Sequence, residues 1–598
     1  MTRKYETRSL TIESLLSWVK SGDIAIPEIQ RPFVWSSTQV RDFLDSLYHD
    51  YPVGYIVTWK NPDVITRDGK RSNGKRILID GQQRVTALMA ALLGHTVINK
   101  HYKSVRIRIA FHLLEQRFDV WDQAIRRNPL WIEDISVLFV GDLKMHRIAA
   151  DYAAKNPDVS TDIVYERLAQ LHRIINNPIG IIELDASLDI DTVAEIFIRI
   201  NSKGTPLNQA DFAMSKMSVN ERYGGDKMRR AIDYFCHMAV SPDFYRTIEA
   251  NDPHFTQTEY FRQMAWLSRD KNDLYDPNYS DMLRVAFVSE FERGQMEELV
   301  ALLSGRNFET RQYEEAVIAT TFERLDRSLM DFMNETHFKR LINIVSSAGF
   351  ISPRLISSKM NVNFAYIAVL WMRRQGIPSN VIERQVRRWF VFSVLTSRYT
   401  SGFETQMAQD LANMKRLGAE AFMDDVIASR LSDSFWTSEL PRNLESSNVN
   451  NPAFHTFCAA QVKFGDHGFL SRDIRVYDLL NASSLELHHI FPKALLKREG
   501  YSEQQQNQVA NYAIIQSDIN VTIGDKSPSE YLRRVRDQIQ TGRPTVGNIA
   551  DAALLQRNLE QHCIPPEIFE MTARDYPEFL KMRRHLIAQK IRDYFFSL

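Results

Sequence analysis

The pattern of short strand-like runs and helical stretches changes twice along this sequence, and these changes constrain its fold most. Residues 1–215 mix β-rich runs such as GYIVTWK, ILID and VRIRIAF with amphipathic helical stretches, as in α/β or α+β domains. Residues 216–440 are mostly helical and predict an all-α middle region. From residue 441 strand-like runs return and are followed by helices. We therefore predict an α+β multidomain protein, because 598 residues also exceed what one hydrophobic core holds.

Charge balance and cysteine content restrict the class of protein. Lys plus Arg and Asp plus Glu are both 74, so any nucleic-acid-binding surface must be local. Cys236, Cys458 and Cys563 form no CxxC pair, which disfavours a structural zinc site and fits a reducing compartment. The first residues contain no apolar signal core, and no apolar run is long enough to span a membrane. We expect a cytoplasmic protein with no membrane partner.

The strongest chemical signal lies in LELHHIFPKALLKREG (485–500) and NQVANYAIIQSDINVTIGDKSPSEYL (507–532). Two histidines end a predicted strand, one asparagine precedes a second strand, and another asparagine follows nine residues later. This order fits a ββα-metal nuclease site, in which a hairpin carries the imidazoles and the next helix supplies a further ligand. The pattern is also compatible with a structural His-His pair and asparagines in turns.

The side chains of this segment have the chemistry that phosphodiester hydrolysis requires. His489 is the candidate general base, because imidazole titrates near neutral pH. His488 and Asn520 are the candidate ligands of a divalent cation that polarises the phosphate. We group Asn511 with the catalytic residues, because its side chain could fix the loop or orient the His489 ring.

Basic residues flank this segment on both sides. They are Lys493, Lys497, Arg498, Lys526, Arg533, Arg534, Arg536 and Arg543. Together they could neutralise several phosphates of a duplex, although solvated helix faces have a similar composition.

A second group of polar residues lies in IPEIQRPFVW (26–35) and DGQQRVTAL (80–88). Its members are Gln30, Arg31, Asp80, Gly81, Gln82, Gln83 and Arg84. The glycine permits a tight turn between a strand and a helix, and a helix N-terminus attracts anions. The alternative is structural: Asp80 caps the helix and Arg84 forms a salt bridge.

The segment GKRSNGKR (69–76) nearly matches a P-loop. However, Arg76 stands where Ser or Thr must bind Mg²⁺, and a strand follows where a helix is required. We interpret this segment as a polar hairpin loop, so any nucleotide site is not a Walker site.

Aromatic and basic residues alternate in RWFVFSVLTSRYTSGFETQ (388–406). Such residues could stack on nucleic-acid bases. Because aromatic residues at helical spacing more often pack inside a protein, we expect a core segment.

H-H-I-F-P, the following Asn511 and D-I-N-x-x-x-G-D-K-S-P resemble the HNH endonuclease superfamily, especially its GmrD-type branch in modification-dependent restriction enzymes. The resemblance implies that His489 is the general base and His488 a metal ligand. A carboxylate is usual in place of His488 in that superfamily. Because imidazole is a softer ligand, we expect Mn²⁺ or Ni²⁺ to serve as well as Mg²⁺.

IPxIQRxxVW, DGQQRxTAL and IFIRINSKGTPLNQADF (196–212) resemble the GmrS-type domain, whose fold is similar to ParB and sulfiredoxin. In that family the DGQQR motif is implicated in binding and hydrolysing a nucleoside triphosphate. The resemblance implies a nucleotide-binding role for Gln30, Arg31 and the residues from Asp80 to Arg84. The third block adds Arg199, Asn201, Lys203 and Gly204, which could face phosphates or form a capped turn.

The two resemblances together imply a fused GmrSD-type, or type IV, restriction enzyme. We expect a GmrS-like ParB/sulfiredoxin-like α/β domain over 1–215, a helical scaffold over 216–440, and a GmrD-like HNH nuclease domain with flanking helices over 441–598. The expected function is metal-dependent cleavage of modified phage DNA, such as glucosylated hydroxymethylcytosine DNA, by a homodimer regulated by ATP or GTP. The alternatives are an RNA-cleaving abortive-infection nuclease and a non-cleaving ParB-like DNA-binding regulator switched by nucleotide.

Overall fold

The computed structural model describes residues 4–25, 33–60, 76–99, 103–140, 145–188, 192, 193, 196, 209–482 and 486–598. The chain divides into two compact units, Met1–Thr258 and Glu259–Leu598. The helices predicted for the middle region are therefore shared between the two units, and the division into three domains stays a prediction. Within the described part of the chain, no helix is both long and apolar enough to cross a membrane.

The first unit contains a mixed β-sheet. The strands are β1 (Tyr5–Thr11), β2 (Ile24–Ala25), β3 (Tyr55–Lys60), β4 (Arg76–Asp80), β5 (Thr96–Ile98), β6 (Ser104–Arg106), β7 (Ile109–His112), β8 (Arg117–Val120), β9 (Trp131–Ile132) and β10 (Pro178–Leu184). Five of these strands form the mixed sheet, in the order β1-β10-β3-β4-β2, with β10 parallel to β3 and β3 antiparallel to β4. Of the others, β5 pairs with β6, and β8-β7-β9 form a three-stranded sheet. A register shift between Val57 and Thr58 bends β3 where it pairs with the end of β4.

The first unit also contains α-helices. They are α1 (Ile12–Ser21), α2 (Ser37–Tyr48), α3 (Gln82–Leu92), α4 (Gln123–Arg127), α5 (Met145–Lys155), α6 (Thr161–His172), α7 (Gln209–Val219), α8 (Gly225–Val240) and α9 (Phe244–Asn251). Ser36 caps α2, because its hydroxyl accepts from the Gln39 N–H at 3.2 Å. The apolar faces of α1, α2 and α3 share one buried cluster. Each buried Leu or Ile in that cluster stabilises the fold by about 2 kcal/mol relative to exposure.

The second unit is mostly helical. Its helices are α10 (Glu259–Met264), α11 (Tyr279–Phe291), α12 (Met296–Leu303), α13 (Glu315–Met333), α14 (Glu335–Ser347), α15 (Lys359–Arg374), α16 (Ser379–Leu395), α17 (Phe403–Leu417), α18 (Ala419–Arg430), α19 (Leu440–Asn443), α20 (Pro452–Phe464), α21 (Val476–Asn481), α22 (Lys493–Arg498), α23 (Glu503–Gln506), α24 (Ser517–Ile523), α25 (Pro528–Thr541), α26 (Ala552–Gln561) and α27 (Tyr576–Phe596). The aromatic segment 388–406 lies in its core, as we expected: Trp389, Phe392 and Tyr399 are buried. Tyr399 donates to Asp410 at 2.7 Å, and Arg398 pairs with the same carboxylate. These side chains therefore serve packing and are not available to stack on bases.

Two short strands belong to the second unit, β11 (Glu486–His489) and β12 (Tyr512–Ile515). They pair antiparallel, with His488 opposite Ala513 and His489 opposite Tyr512. α24 follows β12 directly, and α25 begins at Pro528 after the N-cap Ser527. A buried cluster that includes Phe469, Ile490 and Tyr531 packs beneath the hairpin. The predicted order of strand, strand and helix is thus present around the two histidines.

Candidate active site

His488 and Asn520 meet between β11 and α24. The Nδ1 atom of His488 lies 2.8 Å from the Oδ1 atom of Asn520. The amide nitrogen of Asn520 donates to Glu486 at 2.8 Å, so its oxygen is the atom that faces His488. Nδ1 of His488 therefore carries the proton in this contact. The two residues that the sequence assigned to a cation are brought together by strand and helix.

The His488 ring is enclosed by apolar rings. Only 3% of the residue is exposed, and Phe469 stacks on it with a centroid distance of 5.8 Å. Burial lowers the pKa of His488 to about 4, so the ring is neutral at neutral pH. Its Nε2 atom finds no hydrogen-bond partner among the described residues. A neutral imidazole is the form that a metal ligand requires.

His489 has a different set of neighbours. Its Nε2 atom lies 3.1 Å from Oδ1 of Asn507, and the Tyr512 ring meets it edge-on with a centroid distance of 4.8 Å. Because an amide oxygen only accepts, Nε2 carries the proton and Nδ1 keeps a lone pair. Burial lowers the pKa of His489, while the hydrogen bond with Asn507 opposes this shift. A neutral ring with a free Nδ1 can accept a proton from water.

Asn511 is fully buried and holds the loop between the two strands. Its Oδ1 accepts from the Phe491 N–H at 2.9 Å, and its Nδ2 donates to the carbonyls of Phe491 and Gln506. Of the two roles we considered, the structure provides the contacts for fixing the loop. The His489 ring is contacted by Asn507 instead. The grouping of Asn511 with the catalytic residues stays a prediction.

Sequence reasoning missed two polar residues of this site, Glu486 and Asn507. Glu486 stands two residues before His488, and alternate residues of a strand share a face, so strand periodicity could have identified it. Asn507 lies in the polar run QQQNQ, where no pattern distinguishes one amide from the next.

The atoms present fit a hard divalent cation. In the described part of the chain, no group of three or more His, Cys, Asp or Glu side chains could hold a metal ion. The set at β11 and α24 instead combines a neutral imidazole nitrogen, an amide oxygen and a neighbouring carboxylate, which suits Mg²⁺ or Mn²⁺.

Four of the predicted basic residues contact described neighbours. Arg534 pairs with Glu530 at 3.1 Å, and the Arg536 guanidinium lies 3.4 Å from the centre of the Phe569 ring. Lys526 donates to two backbone carbonyls of α24, and the exposed Arg498 lies 3.9 Å from Asp525. Lys493, Lys497, Arg533 and Arg543 are exposed. Lys493 lies near enough to His489 to contribute to the lowering of its pKa, so a positively charged side chain lies beside the candidate base.

A second polar site lies at the turn between β4 and α3. Gly81 has φ +95°, and a Cβ atom there would lie 3.0 Å from Cγ1 of Ile56, so the turn requires glycine. Gly81 itself is the N-cap, and none of the described side chains forms a capping hydrogen bond with this helix. The expectation that Asp80 caps α3 is therefore wrong, because Gly81, in a left-handed conformation, takes the N-cap position. Arg84 lies 3.7 Å from Asp80 and also donates to the Tyr55 carbonyl at 2.6 Å.

Gln83 also has a partner within the unit, since its Oε1 accepts from the Val34 N–H at 2.9 Å. Gln83 and Arg84 thus hold the neighbouring chain segments in place. Gln82 is the first residue of α3. Six further members of the predicted nucleotide site lie outside the described residues: Gln30, Arg31, Arg199, Asn201, Lys203 and Gly204. Residues 69–75 of the near P-loop also lie outside them.

The region that contains this turn matches a known protein family. Residues 12–218 match the GmrSD restriction endonuclease, N-terminal domain. The match supports a GmrSD-like family, as the DGQQR resemblance predicted. Over 650 aligned residues the chain is 20% identical to an uncharacterised protein of Methanocaldococcus jannaschii, and the alignment covers 99% of each chain.

The GmrSD-like region includes the Gly81 turn, and its name indicates a relative of restriction endonucleases. The pair formed by His488 and Asn520 lies outside residues 12–218. The case for a nuclease site in the second unit therefore depends on the geometry of β11, β12 and α24.

Proposed function

We propose that this protein is a divalent-metal-dependent HNH endonuclease of bacterial phage defence, regulated by ATP or GTP, that cleaves modified DNA. The observation that carries the proposal is the strand–strand–helix arrangement that joins His488 to Asn520 at 2.8 Å, with His489 next to them. The GmrSD-like N-terminal region supports restriction as the biological role and DNA as the partner.

His489 acts as the general base in this proposal. Asn507 holds the proton on Nε2, so Nδ1 can remove a proton from the water that attacks phosphorus. Asn511 keeps the loop after β11 closed and thereby fixes the position of both histidines. The exposed Lys493 and Lys497 bind phosphates on either side of the scissile bond.

His488 and Asn520 would hold a divalent cation through a ring nitrogen and an amide oxygen. The cation, when bound, polarises the scissile phosphate and stabilises the leaving oxygen. His488 is suited to this because burial keeps it neutral. The orientation of Asn520 presents an oxygen, the atom that Mg²⁺ prefers, to Nδ1 of His488, and a cation held by both atoms would require the ring tautomer with its proton on Nε2.

Nucleotide binding is assigned to the first unit. No described side chain caps the N-terminus of α3, so its backbone N–H groups can bind a phosphate. Gln83 and Arg84 have contacts within the unit, so the proposal places the phosphate on the backbone of this turn, with the partly exposed Arg84 guanidinium beside it.

Cleavage of defined substrates by the full-length protein tests the nuclease. Phage DNA with glucosylated hydroxymethylcytosine, unmodified DNA and total RNA are each incubated with Mg²⁺, with and without ATP or GTP. We expect cutting of the modified DNA alone, and a loss on the order of 10²-fold to 10⁴-fold for His489→Ala and Asn520→Ala. His585→Ala removes an exposed histidine of α27 and should cut like the wild type.

Two results would contradict this proposal and favour an alternative. Cutting of RNA in preference to modified DNA indicates an abortive-infection ribonuclease. Metal-independent DNA binding without new ends indicates a regulator.

A nucleotide titration tests the first unit separately. We expect ATP or GTP to bind the wild type and to bind Arg84→Ala at least tenfold more weakly. Thermal unfolding of the variant must accompany the titration, because Arg84 also supports the Tyr55 segment. If a folded Arg84→Ala variant binds nucleotide and responds to it like the wild type, the Gly81 turn is not the nucleotide site.

A further inference from the structure

Glu486 forms a bridge at the base of the proposed cation site. One carboxylate oxygen accepts from the Asn520 amide nitrogen at 2.8 Å, and the other accepts from the Ser517 hydroxyl at 2.7 Å. Both donors lie on α24, whereas Glu486 lies on β11. The carboxylate therefore ties the helix to the strand at the point where His488 meets Asn520.

This bridge determines which atom of Asn520 faces His488. An asparagine side chain can present either its oxygen or its nitrogen, and the two ends have nearly the same shape. A carboxylate accepts hydrogen bonds and donates none, so it selects the nitrogen. Oδ1 is left facing Nδ1 of His488, at 2.8 Å. Without Glu486 the amide could rotate and present a donor, which cannot bind a cation.

Glu486 also supplies a charge that the other two residues lack. A buried neutral imidazole and an amide oxygen carry no net charge, and Mg²⁺ and Mn²⁺ bind more tightly where carboxylates are close. Glu486 is two residues before His488, so strand geometry places both side chains on one face of β11. The residue is also partly exposed, so solvent and ions can reach it.

We propose that Glu486 is a positioning residue of the cation site, which orients Asn520 with its oxygen toward the cation and contributes the negative charge. The proposal rests on the proposed function, because it assumes a divalent cation that His488 and Asn520 both bind. His488 stands where related sites usually have a carboxylate, and Glu486 would supply a carboxylate close to that position.

Mn²⁺ binding to the full-length protein tests this role without relying on cleavage. Free Mn²⁺ is measured by electron paramagnetic resonance for the wild type, Glu486→Ala and Glu486→Gln. We expect Glu486→Ala to weaken binding by about tenfold to a hundredfold, as removal of a partner of a metal ligand does. Glu486→Gln retains an acceptor oxygen without the charge, so its affinity should lie between the two.

Asp518→Asn is the matched control. It removes one negative charge from an exposed position of α24, the helix that carries Ser517 and Asn520, and we expect Mn²⁺ to bind as in the wild type. Urea unfolding of each variant shows whether the fold is retained. Ser517→Ala offers a milder test, because it removes one contact of Glu486 and should weaken binding less than Glu486→Ala.

The outcomes separate this inference from the nuclease proposal. If Asn520→Ala loses Mn²⁺ but a folded Glu486→Ala variant binds like the wild type, Glu486 has no such role and the cation site stands. If Glu486→Gln equals the wild type while Glu486→Ala does not, the contribution of charge is refuted. If the wild type binds no Mn²⁺, or His488→Ala and Asn520→Ala bind it normally, both proposals fail.

Discussion

At the scale of single residues, two adjacent histidines acquire different properties from their neighbours. His488 faces Asn520 and two apolar rings, whereas His489 faces Asn507 and Tyr512. The sequence predicts that both matter, because the pair stands at a strand end before a helix-forming segment. It cannot identify Asn507, since the approach of that amide to His489 depends on how the loop from α23 folds back.

The first prediction concerns Asn507. Asn507→Ala removes the acceptor that fixes the His489 tautomer, so we expect the cleavage rate to fall by about tenfold or more. Asn507→Asp keeps an acceptor oxygen and should lose less activity. Its negative charge stabilises the protonated ring and raises the pKa of His489, so the decline of the rate in acid should begin at a higher pH than in the wild type.

A pH–rate profile of the three proteins measures this, with Gln504→Ala as the control from an exposed position of α23. A purely structural role of Asn507 would change the rate of Asn507→Asp without moving the acid limb of its profile.

At the scale of secondary-structure elements, α27 supports the hairpin from below. Arg583 is fully buried and donates to the Ala510 carbonyl at 2.7 Å and twice to the His562 carbonyl, at 3.1 and 3.0 Å. Burial lowers the pKa of Arg583 to about 10, so the side chain remains charged. The sequence YPEFLKMRRHLIAQKIRDYFF predicts the helix, but any of its three arginines could be the buried one. Only the packing of the helix against the loop before Asn511 decides it.

Arg583→Met tests this support. The substitution leaves two buried carbonyls without a donor, and we expect the free energy of unfolding to fall by about 3 kcal/mol. Lys581→Met alters an exposed position of the same helix and should change stability by less than about 0.5 kcal/mol. Urea unfolding of the full-length proteins measures both. If the two variants are equally stable, the backbone contacts of Arg583 do not hold the loop.

At the scale of the whole molecule, the sequence predicts a change from mixed to helical segments, whereas the compact units depend on packing. The last described strand of the first unit ends at Leu184, and the unit continues to Thr258 through α8 and α9. Residue patterns predict secondary structure. A compact unit, in contrast, is defined by which helices pack against one another. Met228, Ile232 and Phe235 are buried on one side of α8, and helical spacing alone does not show what covers them.

The last prediction concerns the response of the second unit to acid. His562 is fully buried, with its Nε2 atom donating to the His467 carbonyl at 2.8 Å, and burial lowers its pKa to about 3. An unfolded histidine has a pKa of about 6.5. Below that pH the imidazole is therefore protonated in the unfolded chain but stays neutral in the native protein. The neutral ring therefore contributes its full stabilisation above pH 6.5, and this contribution is lost as the pH falls toward the native pKa of about 3.

Each such histidine lowers the free energy of unfolding by about 1.4 kcal/mol per pH unit within that window. His488 contributes in the same direction until about pH 4. Urea unfolding at pH 7 and pH 5 measures the effect where most carboxylates are still ionised in both states. We expect a clear loss of stability for the wild type and a smaller loss for His562→Gln, whereas His585→Gln, at an exposed position, should behave like the wild type. Equal pH dependence in all three proteins would mean that the ring of His562 is protonated in the native state, and that the core beneath the hairpin is open to water.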